Sequence, residues 1–325
     1  MPKTKFTIGV DLGGTKILVA VVDDKGKVIS TAKKTTHADK GPKEVIARIL
    51  QTMDEAVATA KLSKRDIAGI GLGAPGVVDN QRGMVLSAPN LPGFKNIELA
   101  AQLKAWQDCN VALSNDVRVA AIGEHRQGAG RGVHDLIAIF VGTGIGGGII
   151  INDKVLVGQR FSAGEIGHII TLADGPYQGD AAIRGSIEAL ASRTAIERDL
   201  RAGLLAGRKS VLPELMVEKG GAVTSSVLAK AVAKNDPLTI QVMQRAAYLL
   251  GLHAASLINS FDPEMLIYGG GVVEGLGKWI LPQITEVAKQ NCINRADLDK
   301  VRIVEAELGE QAGVIGAALM AREGI

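Results

Sequence analysis

Along the chain, short apolar runs broken by glycine-rich turns alternate with segments whose apolar residues recur every three to four positions. Thr7 to Asp11, Ile17 to Val22 and Val28 to Lys33 predict three strands, the first two apolar and β-branched, with Asp24-Lys25-Gly26 as a hairpin turn. From Lys43 to Lys61 the apolar positions Val45, Ile46, Ile49, Leu50, Met53 and Val57 predict an amphipathic helix. A strand at Ile67 to Leu72, a helix near Asn96 to Trp106, a strand at Asn110 to Leu113 and a helix from Val117 to Gln127 continue the alternation, which predicts an α/β fold.

The second half opens as the first does, with the run Leu136 to Val141, a glycine turn and the run Ile149 to Ile151, a layout that suggests a duplicated fold. Helices follow near Ser186 to Leu200, Ser225 to Lys234, Pro237 to Ser260 and Lys278 to Lys289. A buried strand at Met265 to Tyr268, a strand at Val301 to Glu305 and a helix from Gln311 to Arg322 complete the pattern. Arg201 to Val223, with the weakest periodicity, is expected to be an irregular surface connection.

The length of 325 residues predicts about two domains. Hydrophobic residues at 46% and charged residues at 22% exclude a disordered chain. A net charge of only +3, with 3% aromatic residues, supplies neither a phosphate-neutralising surface nor a stacking platform, so nucleic acid is not expected as a partner. The longest uncharged window, Leu136 to Ile151, is interrupted by five glycines and falls short of the roughly 20 apolar residues of a membrane span. The first apolar stretch, Phe6 to Val10, is too short for a signal-peptide core and runs straight into Asp11. Cys109 and Cys292 allow one disulfide at most and no zinc spacing, which favours a reducing, cytoplasmic setting.

Glycine changes the picture most: 40 of 325 residues exceeds the usual level of about 7%. The glycines crowd at Gly13-Gly14, Gly71 to Gly76, Gly142 to Gly148 and Gly269 to Gly271, where a backbone must bend tightly or approach something closely. In Asp11-Leu12-Gly13-Gly14-Thr15-Lys16, between two strands, backbone N–H groups can point at phosphate oxygens, Thr15 offers a hydroxyl and Asp11 can face a hydrated Mg2+. The same residues also suit a plain hairpin. A P-loop or dinucleotide fingerprint would need a helix beginning at the loop. The second loop, with Gly142, Thr143 and Gly144, is too glycine-dense for a strand interior that only packs, and Gly269, Gly270 and Gly271 close a strand before a helix, where a nucleotide can lie against backbone. Asn115-Asp116 opens a helix, where Asp is either a cap or a functional carboxylate. Glu165 and His168 lie in a nearly uncharged stretch, a costly place for a carboxylate without polar work, and no further ligand cluster accompanies them as a metal site would require.

Over almost its full length the chain resembles the ROK family of bacterial sugar kinases and repressors, most closely its glucokinases, within the superfamily that includes hexokinase and actin. The residues carrying the resemblance are Asp11 to Lys16, Gly73-Ala74-Pro75-Gly76, Asn90-Leu91-Pro92-Gly93-Phe94, Asn115-Asp116, Gly142 to Gly148, Glu165 to His168, Glu188, Gly269 to Gly271 and Gly309 to Gly316. The resemblance implies two ribonuclease-H-like α/β domains around an interdomain cleft, a small one of residues 1–114 plus 312–325 and a large one of residues 115–311. It also implies a homodimer or homotetramer.

By the same resemblance Asp116 is the general base for the sugar hydroxyl, Gly76 and Asn90 border the sugar, and Asn115, Glu165, His168 and Glu188 bond its other hydroxyls. Asp11, Gly13, Gly14, Thr15, Lys16, Gly142, Thr143, Gly144, Gly269, Gly270 and Gly271 would bind ATP, with Mg2+ held at Asp11 through water. One departure is large. Between His168 and Glu188 the family commonly has three cysteines that hold a structural zinc together with the histidine, and Gly179, Ala181 and Ser186 stand at those positions. No zinc is therefore expected, and His168 needs another partner, for which Asp174 and Asp180 lie nearest in sequence. The activity implied is ATP-dependent phosphorylation of the 6-hydroxyl of a hexose, glucose first. The alternatives are fructose, mannose, an N-acetylated amino sugar or a cyclitol, another phosphoryl donor such as polyphosphate, or a catalytically weak sugar-binding regulator. The family's repressors carry a DNA-binding segment before the first phosphate motif; ten residues precede Asp11 here, which favours the enzyme.

Overall fold

The computed structural model describes residues 5–178 and 183–324. The first half runs β1 (Phe6–Leu12), β2 (Lys16–Val22), β3 (Val28–Thr35), α1 (Pro42–Thr59), β4 (Ile67–Ala74), β5 (Val77–Asp79), β6 (Met84–Ser87), β7 (Lys95–Ile97), α2 (Leu99–Trp106), β8 (Asn110–Asn115) and α3 (Asp116–Gln127). There follow β9 (Leu136–Val141), β10 (Ile145–Ile151), β11 (Lys154–Val155), α4 (Ile187–Ala191), α5 (Arg193–Leu205), α6 (Leu212–Val217), α7 (Ser225–Ala233) and α8 (Pro237–Phe261). The chain ends with β12 (Met265–Gly269), α9 (Gly271–Asn291), β13 (Arg302–Glu305) and α10 (Ala312–Glu323).

These elements fall into two compact units. His134–Gly147 and Glu165–Gly309 form one, called the second unit below; the other described residues form the first.

In the first unit a five-stranded sheet has the order β3-β2-β1-β4-β8, with β1 antiparallel to β2 and parallel to β4, and β4 parallel to β8. Alternation along β1 sends Ile8, Val10 and Leu12 into a core shared with Ile49 and Met53 of α1. The opposite face carries Gly9 and Gly71, and a Cβ on either would overlap the main chain of α10 at Val314 or Ala317. These glycines let the C-terminal helix lie directly on the sheet, so the close approach their spacing implies is made here by protein. A small sheet, β5-β6-β7, was not predicted, because strands of three or four residues carry too little alternation to read.

The second sheet, β11-β10-β9-β12-β13, repeats the first strand for strand, as the recurring glycine hairpin suggested. Here β9 is parallel to β12, and β12 to β13. Four expectations need correction. The glycines Gly146 to Gly148 lie inside β10, and the turn is confined to residues 142–144, because Gly147 packs under Ile166 and Gly148 under Ala121 with no room for a Cβ. The helix expected over Ser186 to Leu200 is two helices, since Ser192 leaves helical geometry (φ −67°, ψ 164°) to cap α5. The stretch Arg201 to Val223 is partly helical: α5 runs on to Leu205, and α6 follows with Pro213 in its first turn. Helix α9 starts at Gly271, seven residues before the expected Lys278, and Pro282 lies within it. None of the described helices is long and apolar enough to cross a membrane.

Candidate functional site

In the first unit the β1–β2 hairpin closes on itself, Gly13 N–H donating to Lys16 O at 2.9 Å. Buried Thr36 buttresses it from behind: its N–H donates to Thr15 O and its hydroxyl to Gly13 O at 2.7 Å. Thr15 itself is exposed. Desolvation pushes the Asp11 carboxyl up to about 6, with the Lys16 charge opposing. Lys16 Nζ pairs with Glu310 at 2.8 Å, and that contact holds the Glu310 carboxyl below its usual range. Asn90 adjoins the same loop, its backbone oxygen 3.2 Å from where a Cβ on Gly14 would stand.

Beyond the carboxyl end of β8, Asn115 rather than Asp116 caps α3. Its Oδ1 accepts from Val117 N at 3.0 Å and Arg118 N at 3.1 Å, and its Nδ2 donates to Gly76 O at 3.1 Å. Gly76 has φ +82°, and a Cβ there would also overlap Ser87. Gly76, Asn115 and Asp116 are thus brought together. Asp116, the first helical residue, is half-buried; its Oδ1 accepts from Val117 N at 2.9 Å. Asn115 does the capping, and Asp116 follows it as the first residue of the helix.

In the second unit the loop after β9 closes like the first hairpin, Gly142 N–H donating to Gly144 O at 2.9 Å. Arg193, which the sequence reading did not single out, holds this loop from the start of α5. Its N–H donates to Gly142 O at 2.9 Å and its guanidinium to Thr143 Oγ1 at 2.7 Å. Thr194 Oγ1 donates to Thr143 O at 2.8 Å. Gly269, Gly270 and Gly271 join β12 to α9, with Gly270 at φ +84° pressed against Val141. The two glycine loops therefore sit side by side at the carboxyl ends of adjacent parallel strands, where open α/β sheets bind ligands. The N-terminus of α9 starts there as well.

The same unit gathers Glu165, His168 and Glu188. Glu165 precedes the single 3-10 turn Ile166–His168, and the two side chains, 44% and 40% exposed, approach to 3.7 Å between Oε2 and Nε2. His253 of α8, buried, meets Ile166 O with Nε2 at 3.1 Å and so fixes the turn. Glu188 is engaged on both oxygens, Oε2 accepting Ile145 N–H at 2.7 Å and Oε1 the Gln178 amide at 2.6 Å. Of the two partners expected for His168, the described one, Asp174, does not fill that place. Asp180 lies outside the described residues, as do Gly179 and Ala181, and Asp174 uses its backbone oxygen for Arg184. The Nδ1 of His168 instead meets Gln178 Oε1 at 3.1 Å, and the Ser186 hydroxyl donates to that same oxygen at 2.6 Å.

A zinc does not fit the described donors at Nδ1 of His168: a neutral amide oxygen meets that nitrogen, and a hydroxyl stands at Ser186 where the family commonly has a thiolate. Among the described residues no three His, Cys, Asp or Glu side chains are placed to hold a metal. The desolvated Asp11 carboxylate, by contrast, is a hard oxygen donor whose ionised form a nearby Mg2+ would favour.

The ROK family model matches residues 7–324. The chain belongs to the ROK family. Among the family's proteins it is 33% identical to a glucokinase of Halalkalibacterium halodurans over 98% of this chain and 96% of that protein. A glucokinase of Thermotoga maritima is also 33% identical, over 100% of this chain and 99% of its own length. The crystal structure of a ROK family glucokinase from Streptomyces griseus in complex with glucose and AMPPNP superposes with a TM-score of 0.83 at 33% identity, covering 98% of this chain and 100% of that one.

Proposed function

We propose that this ROK protein is an ATP-dependent hexose kinase that phosphorylates the 6-hydroxyl, with glucose as its first substrate. The observation that carries the reading is the start of α3, where Asn115 takes over both the helix cap and the Gly76 carbonyl while Asp116 presents a carboxylate beside it. A sugar hydroxyl must lose its proton as it attacks the γ-phosphorus, and Asp116 accepts that proton, an effect of about 10²- to 10⁴-fold. Asn115, Glu165, His168 and Glu188 bond the remaining hydroxyls.

The phosphates of ATP lie against the glycine loops. Phosphoryl transfer asks for little covalent participation, so backbone N–H groups at residues 13–16 and 142–144 and the N-terminus of α9 contribute by positioning and by offsetting charge. The Arg193 guanidinium on Thr143 adds positive charge to that loop. Asp11 would hold Mg2+, and the ion would supply charge neutralisation at the phosphates. The reading carries a cytoplasmic setting, as the sparse cysteines favour, and a homodimer or homotetramer, as the family resemblance implies.

Replacement of Asp116 by Asn tests the assignment of the base. The expected outcome is a kcat lowered by about 10²- to 10⁴-fold with the glucose Kd, measured by calorimetry, within about threefold of wild type. A variant that keeps most of its kcat removes Asp116 from this role.

A further inference from the structure

We infer that Gln178 is the positioning residue of the sugar-binding half-site, and that it makes His168 present a hydrogen-bond acceptor to the sugar. The inference rests on the reading of Glu165, His168 and Glu188 as sugar contacts, and it follows from the donors and acceptors that meet at a single amide.

Both oxygens of Glu188 accept, Oε2 from the Ile145 N–H and Oε1, at 2.6 Å, from the NH2 of Gln178. That fixes the orientation of the amide and turns its oxygen toward Ser186 and His168. The Ser186 hydroxyl donates to this oxygen at 2.6 Å. The oxygen cannot donate, so the imidazole nitrogen 3.1 Å away, Nδ1, carries a hydrogen. A neutral imidazole has one N–H, and Nε2 is left with its lone pair on the half-exposed side of the ring, toward Glu165. Two acceptors, His168 Nε2 and Glu165 Oε2, thus converge 3.7 Å apart on one exposed patch. Their complement is a pair of neighbouring hydroxyls that both donate, as a vicinal diol of a sugar ring does.

Ser186 stands at the third of the family's cysteine positions and Gln178 immediately before the first. The amide joins His168 to Ser186 and Glu188, which a bound metal would otherwise have had to position. The polarity it imposes is opposite to that of a histidine ligated through Nδ1, whose Nε2 carries the hydrogen and donates. Through Glu188, which also accepts from Ile145 N–H, the same amide reaches the loop of Gly144.

Two measurements test this. Long-range 1H–15N spectra of [15N]histidine-labelled protein at pH 8, with His168→Gln supplying the assignment, should show His168 with its hydrogen on Nδ1 in wild type. In Gln178→Leu the population should move toward the Nε2–H form. The kinetic arm uses Gln178→Leu and Gln178→Glu, the second keeping an acceptor for His168 while setting a carboxylate against Glu188. Both should raise the sugar KM by about 10- to 100-fold; in Gln178→Leu, which leaves Glu188 on the Ile145 N–H, the KM for Mg-ATP should stay within about twofold of wild type. Gln178→Glu should retain the Nδ1–H form. A hydrogen on Nε2 in wild type, or a sugar KM within about twofold of wild type in Gln178→Leu, overturns the inference. Wild-type protein without sugar-dependent ADP release would sink the kinase reading alone, because the tautomer still decides the role of Gln178.

Discussion

Gly144 has no side chain because Glu188 occupies the space one would need: a Cβ there would overlap the Glu188 carboxylate, whose Oε2 accepts the next N–H along the loop. Replacement by Ala must displace either the loop or the carboxylate, at about 1–3 kcal/mol for an overpacked site. Gly144→Ala should therefore raise both the ATP and the sugar KM by about tenfold or more in steady-state kinetics; values unchanged within about twofold would show the two sites to be uncoupled. The density of glycine in this loop was legible in the sequence, and so was the inference that something lies against the backbone. What lies there could not be read, because Glu188 comes from a helix some forty residues later. Gln178 was silent for a related reason. Its three partners lie eight to ten residues away in both directions, in a stretch without periodicity, so only the folded chain shows that one amide serves them all.

Among the elements, the hairpins and long helices were legible because each carries its own signal. Gly26 at φ +81° closes the turn between β2 and β3, and the apolar stripe of α1 matches its buried residues Val45, Ile49, Met53 and Val57. The break at Ser192 was not, since a serine flanked by Ala and Arg reads as helix until its hydroxyl is seen accepting from Ala195 N. The turn carrying Glu165 and His168 depends on another element, α8, through His253. Burial pushes the His253 imidazole down from 6.5 to about 4, with the Ile166 carbonyl opposing. Between these values the unfolded chain binds a proton that the folded one refuses, so stability falls as pH drops through that window. The loss amounts to about 2 kcal/mol between pH 8 and pH 5. Urea melts at the two pH values should show His253→Leu losing less on acidification than wild type while starting less stable, because Ile166 O is then unpaired. Equal acid sensitivity in both proteins would mean that His253 is not held neutral.

At the scale of the molecule, two sheets of one strand order each end in a glycine hairpin closed by the same kind of backbone contact, and the last helix returns to the first unit to lie on Gly9 and Gly71. The repeat was visible in the spacing of the glycine hairpins, and the chain's membership of the ROK family in the motifs distributed over its length. The return of α10 was not readable from the pattern alone, because an apolar helix at a chain end says nothing about which sheet it covers. The loss of the cysteines was readable, and the hydrogen-bonded substitute at Gln178 was not. Taken together, the polar groups suit a kinase that takes a hexose with free neighbouring hydroxyls. The measurement that tests this most directly is ADP release from Mg-ATP with a panel of sugars, each beside a sugar-free control, the product identified by mass and by the position of its phosphate. The account predicts glucose-dependent ADP release with stoichiometric glucose 6-phosphate. Folded protein that binds ATP and releases no ADP in response to any sugar of the panel would contradict it.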